Sequence, residues 1–445
     1  MSGGGDWTLC IDFGTAFSKA AAAPMGAWSR FNPEWLRPLM LASEDEGRNA
    51  FLLESAVFVD DERVLFGAEA AARGQKLARE RRALRSFKTL LSVSDLDRAL
   101  NTSAPAAVDP RRLFTMRDLV TLYLAYFLAA IERAIALDPE LSGDAIGERR
   151  YAAPAWRGGD SAGQHGAVVA LFAEAEAVLE HLGERLLEPG GLALADIEDA
   201  LQAEPGAARA TDMGLIFEAT AAAAYTSIGH ERSAAHVVVI DIGAGTTDIT
   251  ALFRAGARMR ELRQARVTLK QAGDFLDHVI ANLAISASVA RSPEERGELW
   301  NLLKRQMVDI KDSIFQDGRA ILRHRNRTHV IKLADLERDR DYREFKKDIA
   351  HAYAHSVDVA RRHALQEGRR ELQTVAVGGG AVTPFIKEML ERTSARGLRL
   401  SPSPAIPPWA RTVYDGNLGP VFPQLAIAIG GALAPPDMLA ARALD

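Results

Sequence analysis

The feature that most constrains the fold is a short pattern that occurs twice: an apolar run followed by aspartate, glycine and threonine. Residues 12–18 read DFGTAFS, and residues 241–248 read DIGAGTTD. Each predicts a strand that ends at the aspartate and turns through glycine into a second strand. Because glycine carries no Cβ atom, backbone N–H groups in such a turn can approach phosphate oxygens closely. The repeat therefore indicates a duplicated unit whose two turns form two halves of one phosphate site.

The aspartates of these turns predict a metal ion. Asp12 and Asp241 lie beside the expected phosphates, where a carboxylate cannot serve to bind the anion. Mg²⁺ prefers carboxylate, water and phosphate oxygens, so both side chains are predicted magnesium ligands. Taken alone, either turn is also consistent with a β-turn capped by its aspartate. The presence of both turns, with a third glycine-rich turn downstream, favours the phosphate site.

That third turn lies in VAVGGGAVTPFIKEML, residues 375–390, where three glycines follow an apolar strand and Pro384 opens a helix. Such a turn lets a ribose or a flat ring lie on the backbone, although a plain strand–helix turn has the same features. The chain has no GxxxxGK[ST] motif, and GAG at 243–245 lacks a third glycine at dinucleotide-binding spacing. His351 and His355 are one helical turn apart without a third ligand, which favours an ordinary helix face over a metal site.

The composition excludes several classes of protein. The chain has 445 residues and a net charge of −5, with 48% hydrophobic and 25% charged residues, a balance typical of soluble globular proteins. This charge argues against a general nucleic-acid or membrane-surface binder. Cys10 is the only cysteine, so no internal disulfide is possible. Because no secretory signal pattern and no uninterrupted apolar run of about 18 residues is present, we expect a cytoplasmic protein without a membrane span.

Predicted strands alternate with predicted helices along the whole chain, which indicates an α/β fold. Residues 68–91 predict one strongly basic helix, and residues 73–88 carry seven basic side chains against one acid. Residues 274–316 and 334–367 predict helices on either side of a hairpin at 320–333.

Several stretches, in order, resemble the nucleotide-binding domain of heat-shock protein 70 chaperones, within the actin–hexokinase–heat-shock ATPase superfamily. Both phosphate turns and the glycine turn at 378 carry the resemblance. Further family motifs are resembled by YAAPAWRGGDSAGQ, FEATAAAAYTSIG, AGDFLDHVI, VDIKDSIFQ and PQLAIAIGGALA. The resemblance implies a two-lobed actin-like ATPase fold, made of duplicated ribonuclease-H-like cores, with ATP or ADP and Mg²⁺ in the interlobe cleft.

The resemblance also divides the chain. Lobe I would span residues 1–235 and carry insertions at 24–50 and 92–112. Lobe II would span residues 236–445, with the second phosphate turn, a helical subdomain at about 274–370 and the adenosine turn. A closing helix at 422–434 would pack back on lobe I.

Roles for individual residues follow from the same resemblance. Catalysis would rest on Asp241, Glu218 and Asp12, with Glu218 beside the metal and the attacking water. Asp12, Asp241 and Asp248 would hold Mg²⁺, largely through water molecules. The residues expected to contact the nucleotide are Gly14, Thr15, Gly243, Gly245, Thr246, Lys311, Gly378 and Gly379.

The sequence departs from the family at positions that matter for hydrolysis. The family's catalytic lysine would fall at Ala71, and losing one such stabilising charge typically costs about 10²–10³ in rate. Arg73 or Lys76 could substitute, unless that basic run is a solvated helix face. Four further positions differ from the family's usual residues: Ala16, Ala219, Val382 and Asp312. The phosphate and metal site is therefore better supported than the base site.

The leading hypothesis is a slow, Mg²⁺-dependent ATPase whose nucleotide-driven lobe closure regulates an unidentified protein partner. Only eleven residues follow the predicted closing helix, so we expect no peptide-binding β-sandwich of the chaperone type. A partner would then bind the ATPase fold itself, at 24–50, 92–112 or 395–421. The alternatives are a nucleotide-binding pseudo-ATPase scaffold, an actin/MreB-like filament protein and a small-molecule kinase, and the oligomeric state stays open.

Overall fold

A computed structural model of the chain is a mixed α/β structure with several sheets, which confirms the α/β part of the predicted fold class. Two compact units divide the chain. Unit 1 comprises Met1–Ser233, Ala255–Met259 and Ile406–Asp445, and unit 2 comprises Ala234–Arg254 and Arg260–Ala405. The structure describes residues 7–439 except 30, 43–48, 78–80, 92, 94, 143–145, 155–160, 204–212, 227–234, 257, 289–291, 326 and 415–416.

Unit 1 contains a six-stranded mixed sheet and a small three-stranded sheet. Its strands are β1 (Trp7–Asp12), β2 (Phe17–Pro24), β3 (Arg37–Pro38), β4 (Leu53–Glu54), β5 (Val57–Val59), β6 (Arg63–Phe66), β7 (Ile146–Ala153), β8 (Leu192–Ala193) and β9 (Gly214–Phe217). The large sheet has the order β3-β2-β1-β7-β9, with β4 also paired to β2. β1 is antiparallel to β2 and parallel to β7, and β7 is parallel to β9. β1 is buried along its whole length, which is why its sequence is apolar without alternation.

Helices alternate with these strands along the chain. They are α1 (Gly67–Lys76), α2 (Phe87–Leu91), α3 (Leu96–Leu100), α4 (Met116–Leu137), α5 (Ser161–Leu182), α6 (Leu194–Leu201) and α7 (Glu218–Thr226). The prediction of a single basic helix at 68–91 is wrong, because the structure has two helices there, α1 and α2. Leu84 exchanges backbone hydrogen bonds with Val57 (2.7 and 3.0 Å), which holds the chain between the two helices on β5.

Helix α4 is the central core helix of unit 1. It begins at a capping box in which Thr115 accepts from the Asp118 N–H and Asp118 accepts from the Thr115 N–H. By length and composition α4 could cross a membrane, but 72% of its most apolar window is buried inside the protein. It packs against α5, so we interpret α4 as a core helix, and no membrane span is indicated.

Unit 2 is built on a second six-stranded mixed sheet and a helical region. Its strands are β10 (His236–Ile242), β11 (Thr247–Ala255), β12 (Arg258–Glu261), β13 (Val267–Leu269), β14 (Arg319–His324), β15 (Arg327–Lys332), β16 (Glu371–Val377) and β17 (Arg399–Pro402). Its helices are α8 (Gly273–Ser286), α9 (Pro293–Asp317), α10 (Leu333–Arg338), α11 (Arg340–Gln366) and α12 (Pro384–Arg392). The predicted hairpin is observed as β14 and β15.

The last helix, α13 (Phe422–Leu433), belongs to unit 1 and packs against β1, β2 and α7. Its C-terminal end is fixed by the buried Arg150 of β7. The Arg150 guanidinium donates to the carbonyl oxygens of Gly431 (2.9 Å) and Ala434 (2.6 Å). A cation at this end is favourable because the last carbonyls of a helix lack partners within it.

The two large sheets have the same strand order. In unit 2 the order is β12-β11-β10-β16-β17, with β13 also paired to β11. β10 is antiparallel to β11 and parallel to β16, and β16 is parallel to β17. β1, β2, β7 and β9 thus correspond to β10, β11, β16 and β17. The extra strand even joins at the same place, since β4 pairs with the first residues of β2 and β13 with those of β11.

Candidate functional site

The first of the two predicted phosphate turns, residues 12–18, contains a buried ion pair that the sequence did not predict. Asp12 ends β1, and Lys19 lies directly opposite it on β2. Lys19 Nζ donates to Asp12 Oδ2 at 2.8 Å, and the two residues are only 8% and 1% exposed. Asp12 Oδ1 is also buried and accepts no hydrogen bond from the residues that the structure describes. Asp12 therefore keeps one oxygen available to a water molecule or a cation.

Gly14 is required by the tightness of this turn. A Cβ atom at Gly14 would lie 2.1 Å from the Phe17 carbonyl oxygen and 2.8 Å from Lys19 Nζ. Thr15 follows it and is half-buried at the tip of the turn. The glycine thus allows the turn to fold down against the ion pair.

A buried hydroxyl network supports the start of β2. Tyr123 of α4 donates to Ser18 Oγ at 2.9 Å and lies 3.2 Å from Ser55 Oγ, while the two serine hydroxyls are 3.0 Å apart. Burial raises the pKa of Tyr123 to about 12, so the phenol stays protonated and can donate. The Ser55 N–H also donates to the Ala16 carbonyl oxygen. These contacts hold both sides of the turn in one geometry.

Glu218 lies at the same edge of the sheet as Asp12. β1, β7 and β9 are parallel, so their carboxyl ends share an edge, and Glu218 follows β9 as the first residue of α7. Ligands of open α/β sheets bind at this kind of edge. Glu218 is 8% exposed and forms an ion pair with Lys88 of α2, with 2.7 Å between Oε2 and Nζ.

Among the described contacts, Lys88 rather than Arg73 or Lys76 is the basic residue that pairs with Glu218. Ala71, where the family lysine would fall, is 2% exposed and packs in a small apolar cluster with Ala56 and Phe58. Arg73 binds Asp60 at 2.7 Å, and Lys76 is exposed. The residue that contacts Glu218, Lys88, lies at the C-terminal end of the basic run at 73–88.

The second phosphate turn presents two carboxylates at equivalent positions. Asp241 near the end of β10 lies opposite Asp248 of β11. Asp248 accepts hydrogen bonds from the hydroxyls of Thr246 (2.9 Å) and Thr268 (2.7 Å), one on each oxygen. The turn is closed by the Gly243 N–H, which donates to the Thr246 carbonyl oxygen at 3.0 Å. Gly243 and Gly245 are half-buried.

The first turn of α8 fixes this second phosphate turn from outside. The N–H groups of Gly273 and Asp274 donate to the carbonyl oxygens of Gly243 (3.1 Å) and Ala244 (2.8 Å). Lys311 of α9 pairs with Asp277, one turn further along α8, at 2.7 Å. Lys311 is thus tied to α8, which itself contacts the phosphate turn.

Gly378 brings the third turn onto Asp241. It follows β16, which lies parallel to β10 with Val377 opposite Asp241. Its φ is +82°, and a Cβ atom there would lie 2.7 Å from Asp241 Oδ1 and 2.4 Å from the Ile242 carbonyl oxygen. Gly379 begins a short 3₁₀ turn, Gly379–Val382, that leads to α12. Unit 2 therefore assembles Asp241, Asp248 and the glycine turn at the carboxyl edge of its sheet.

These residues fit a magnesium–nucleotide group by their chemistry. Unit 1 offers a buried carboxylate with an unpartnered oxygen, and unit 2 offers two opposed carboxylates beside glycine turns. Carboxylates and water are ligands suited to Mg²⁺, and open backbone turns suit phosphates. No protein-family model matches this sequence, and a search of curated proteins finds no similar chain.

Proposed function

We propose that this chain is an ATP-binding, Hsp70-like protein with a two-lobed actin-like fold, duplicated ribonuclease-H-like cores and nucleotide in the interlobe cleft. One observation carries the proposal. The two large sheets have the same strand order. In each sheet the equivalent strand, β1 or β10, has an aspartate at or near its end, followed by a glycine turn. A duplicated core with an acid and a phosphate turn in each half is what a nucleotide–metal site shared by two lobes requires. The sequence resemblance to the heat-shock ATPases points the same way.

In this proposal, carboxylates would hold the metal ion, and backbone N–H and hydroxyl groups would bind the phosphates. Asp12 and Asp241, with Asp248 behind them, would hold Mg²⁺ largely through water, and the ion would neutralise phosphate charge when bound. Backbone N–H and hydroxyl groups would donate to phosphate oxygens, from Gly14, Thr15, Gly243, Gly245 and Thr246. Gly378, Gly379 and Lys311 would lie on the nucleoside side.

Glu218 and Lys88 would serve the hydrolytic step. Glu218 would orient the attacking water and accept its proton, since a carboxylate can act as a general base. Lys88 would supply the positive charge that Ala71 cannot, and Lys19 would contribute a second cation at the first turn. Removing one such charge typically lowers the rate by about 10²–10³.

Nucleotide-dependent closure of the two lobes would be the change that regulates the partner protein. A ligand that binds one arrangement of two lobes more tightly shifts the population toward it, and a partner protein can read that arrangement. We propose such a partner, and a cytoplasmic location, on the sequence grounds given above.

A pseudo-ATPase scaffold is the second candidate, and a specific observation favours it. Lys19 and Lys88 are each bound to an acid that hydrolysis would use, Asp12 and Glu218. A lysine neutralised in this way offers less charge to a γ-phosphate.

Single-turnover hydrolysis of ATP with Mg²⁺ distinguishes the two candidates. The ATPase proposal expects Lys88→Ala to lower the rate about 10²-fold or more and Asp241→Asn to remove measurable turnover, whereas Lys76→Ala, an exposed lysine of the same basic run, keeps the wild-type rate. Equal rates for wild type, Lys88→Ala and Asp241→Asn would contradict catalysis. If the wild type still binds MgATP, the scaffold stands instead.

A further inference from the structure

Three side chains of metal-ligating types meet in unit 2, at the opposite end of β10 from Asp241. His236 begins β10, His363 lies in the last turn of α11, and Glu367 directly follows that helix. His236 Nε2 lies 2.9 Å from His363 Nδ1 and 3.5 Å from Glu367 Oε2. One ligand atom from each residue lies within 4.8 Å of the other two. The proposed nucleotide site uses none of these three residues.

We propose that His236, His363 and Glu367 bind a divalent transition-metal ion such as Zn²⁺. A tetrahedral Zn²⁺ ion with ligands at about 2.0–2.2 Å holds neighbouring ligand atoms about 3.4 Å apart. Two of the three separations, 2.9 and 3.5 Å, lie on either side of that value, and the third is within 4.8 Å. Two imidazole nitrogens with one carboxylate favour Zn²⁺, Co²⁺ or Ni²⁺ over the hard ions Mg²⁺ and Ca²⁺.

The surroundings orient the rings and leave one side accessible. The Phe253 ring lies with its centroid 4.4 Å from that of His363 and 6.3 Å from that of His236. His236 is fully buried, whereas His363 is half-buried and Glu367 is exposed. Water or a small ligand can therefore reach a fourth coordination position, as in zinc sites that keep an open position.

A groove of about 410 Å³ adjoins the cluster through His363. Its other polar lining residues are Glu261, Arg263, Gln264, Arg362 and Gln366. The two arginines among them suit an anionic ligand, such as a carboxylate, that would coordinate the ion from the groove. This gives the fourth position a defined chemistry.

The hydrogen bonding of the His236 ring limits the expected affinity for the metal ion. Its second nitrogen, Nδ1, is buried and has no hydrogen-bond partner in the described part of the chain. A metal-bound histidine usually donates this second nitrogen to an acceptor that fixes the ring. We therefore expect weaker binding than at a closed four-ligand structural zinc site.

The test is a Zn²⁺ titration of the full chain without a histidine tag, monitored by competition with a chromogenic chelator in the presence of excess Mg²⁺. Wild type should bind one equivalent. His363→Gln should weaken binding about 100-fold or more and Glu367→Gln about 10-fold or more, since even an outer-shell change costs about 10–100-fold. His351→Gln is the matched control, because His351 is an exposed histidine of the same helix, and it should bind like wild type.

Co²⁺ substitution provides a second readout. Wild type should give the strong visible absorption of four-coordinate Co²⁺, and His363→Gln should lose it while keeping the wild-type circular dichroism spectrum. The proposal is overturned if wild type binds no stoichiometric Zn²⁺ in the presence of Mg²⁺. It is equally overturned if His363→Gln and His351→Gln bind Zn²⁺ alike, since the ion would then be held elsewhere.

Discussion

The two predicted phosphate turns occupy equivalent positions in sheets of the same strand order, but they place residues of opposite charge across from their first aspartate. In the first turn the residue opposite Asp12 is Lys19, and the two form a buried ion pair. In the second turn the residue opposite Asp241 is another acid, Asp248. Like charges placed directly across two strands are destabilising. The first turn thus pairs its acid with a lysine, whereas the second places two acids opposite each other.

The two turns are alike in sequence but differ in burial and in how their acids are hydrogen bonded. The first turn is packed and internally satisfied, except for Asp12 Oδ1. The second is less buried, and threonine hydroxyls rather than a cation bind its outer acid, Asp248. We therefore expect the first turn to contribute more to stability and the second to contribute more to magnesium binding.

The largest effect should come from breaking the ion pair of the first turn. Lys19→Met keeps the apolar stem but leaves Asp12 charged and buried, which typically costs about 3–5 kcal/mol. The double variant Asp12→Asn/Lys19→Met should recover most of that loss, because neither charge remains. Urea unfolding measures the free energies, and a loss below about 1 kcal/mol for Lys19→Met would remove the stabilising role from this pair.

A smaller effect should separate the glycines of the two turns. Gly14→Ala places a Cβ atom 2.1 Å from the Phe17 carbonyl oxygen, whereas the nearest atom to a Cβ at Gly243 is the Thr246 carbonyl oxygen at 3.4 Å. Overpacking of this kind costs about 1–3 kcal/mol, so Gly14→Ala should lower the free energy of unfolding by that amount. Gly243→Ala should cost less. Equal losses in thermal or urea unfolding would show that the turns are equally tight.

The smallest change in stability, and of the opposite sign, should follow from Asp248→Asn. Removing one of two opposed carboxylates should raise the free energy of unfolding without Mg²⁺ by about 0.2–1 kcal/mol. The same change should weaken MgATP binding about 10-fold or more, as loss of an outer partner of a metal does. A variant that is less stable without Mg²⁺ would contradict repulsion between Asp241 and Asp248.

The local parts of this arrangement could be predicted from the sequence, and the long-range parts could not. Strands ending at or next to Asp12 and Asp241, and the turn at Gly378, follow from adjacent residues, because glycine and β-branched runs act over a few positions. The pairing of Lys19 with Asp12 could also have been predicted. A lysine inside a run of buried alanines needs a partner, and the hairpin register places it opposite Asp12. The pattern gave no such clue to Lys88.

Lys88 and the histidine cluster depend on segments that are distant in the chain. Lys88 meets Glu218 only because α2 and α7 lie together in unit 1. His236 meets His363 across 127 positions, whereas the sequence drew attention to His351 and His355, which share a helix. The break in the basic helix at 68–91 has the same origin, because Leu84 pairs with a strand more than twenty residues earlier.

The central proposal is that residues of both turns bind magnesium and nucleotide. Isothermal titration of the full chain with ATP, with and without Mg²⁺, tests it most directly. The account predicts one equivalent of ATP bound in the presence of Mg²⁺, and binding weakened about 10²-fold or more in both Asp12→Asn and Asp241→Asn, with each variant folded by circular dichroism. No binding by the wild type, or unchanged binding by both variants, would contradict it.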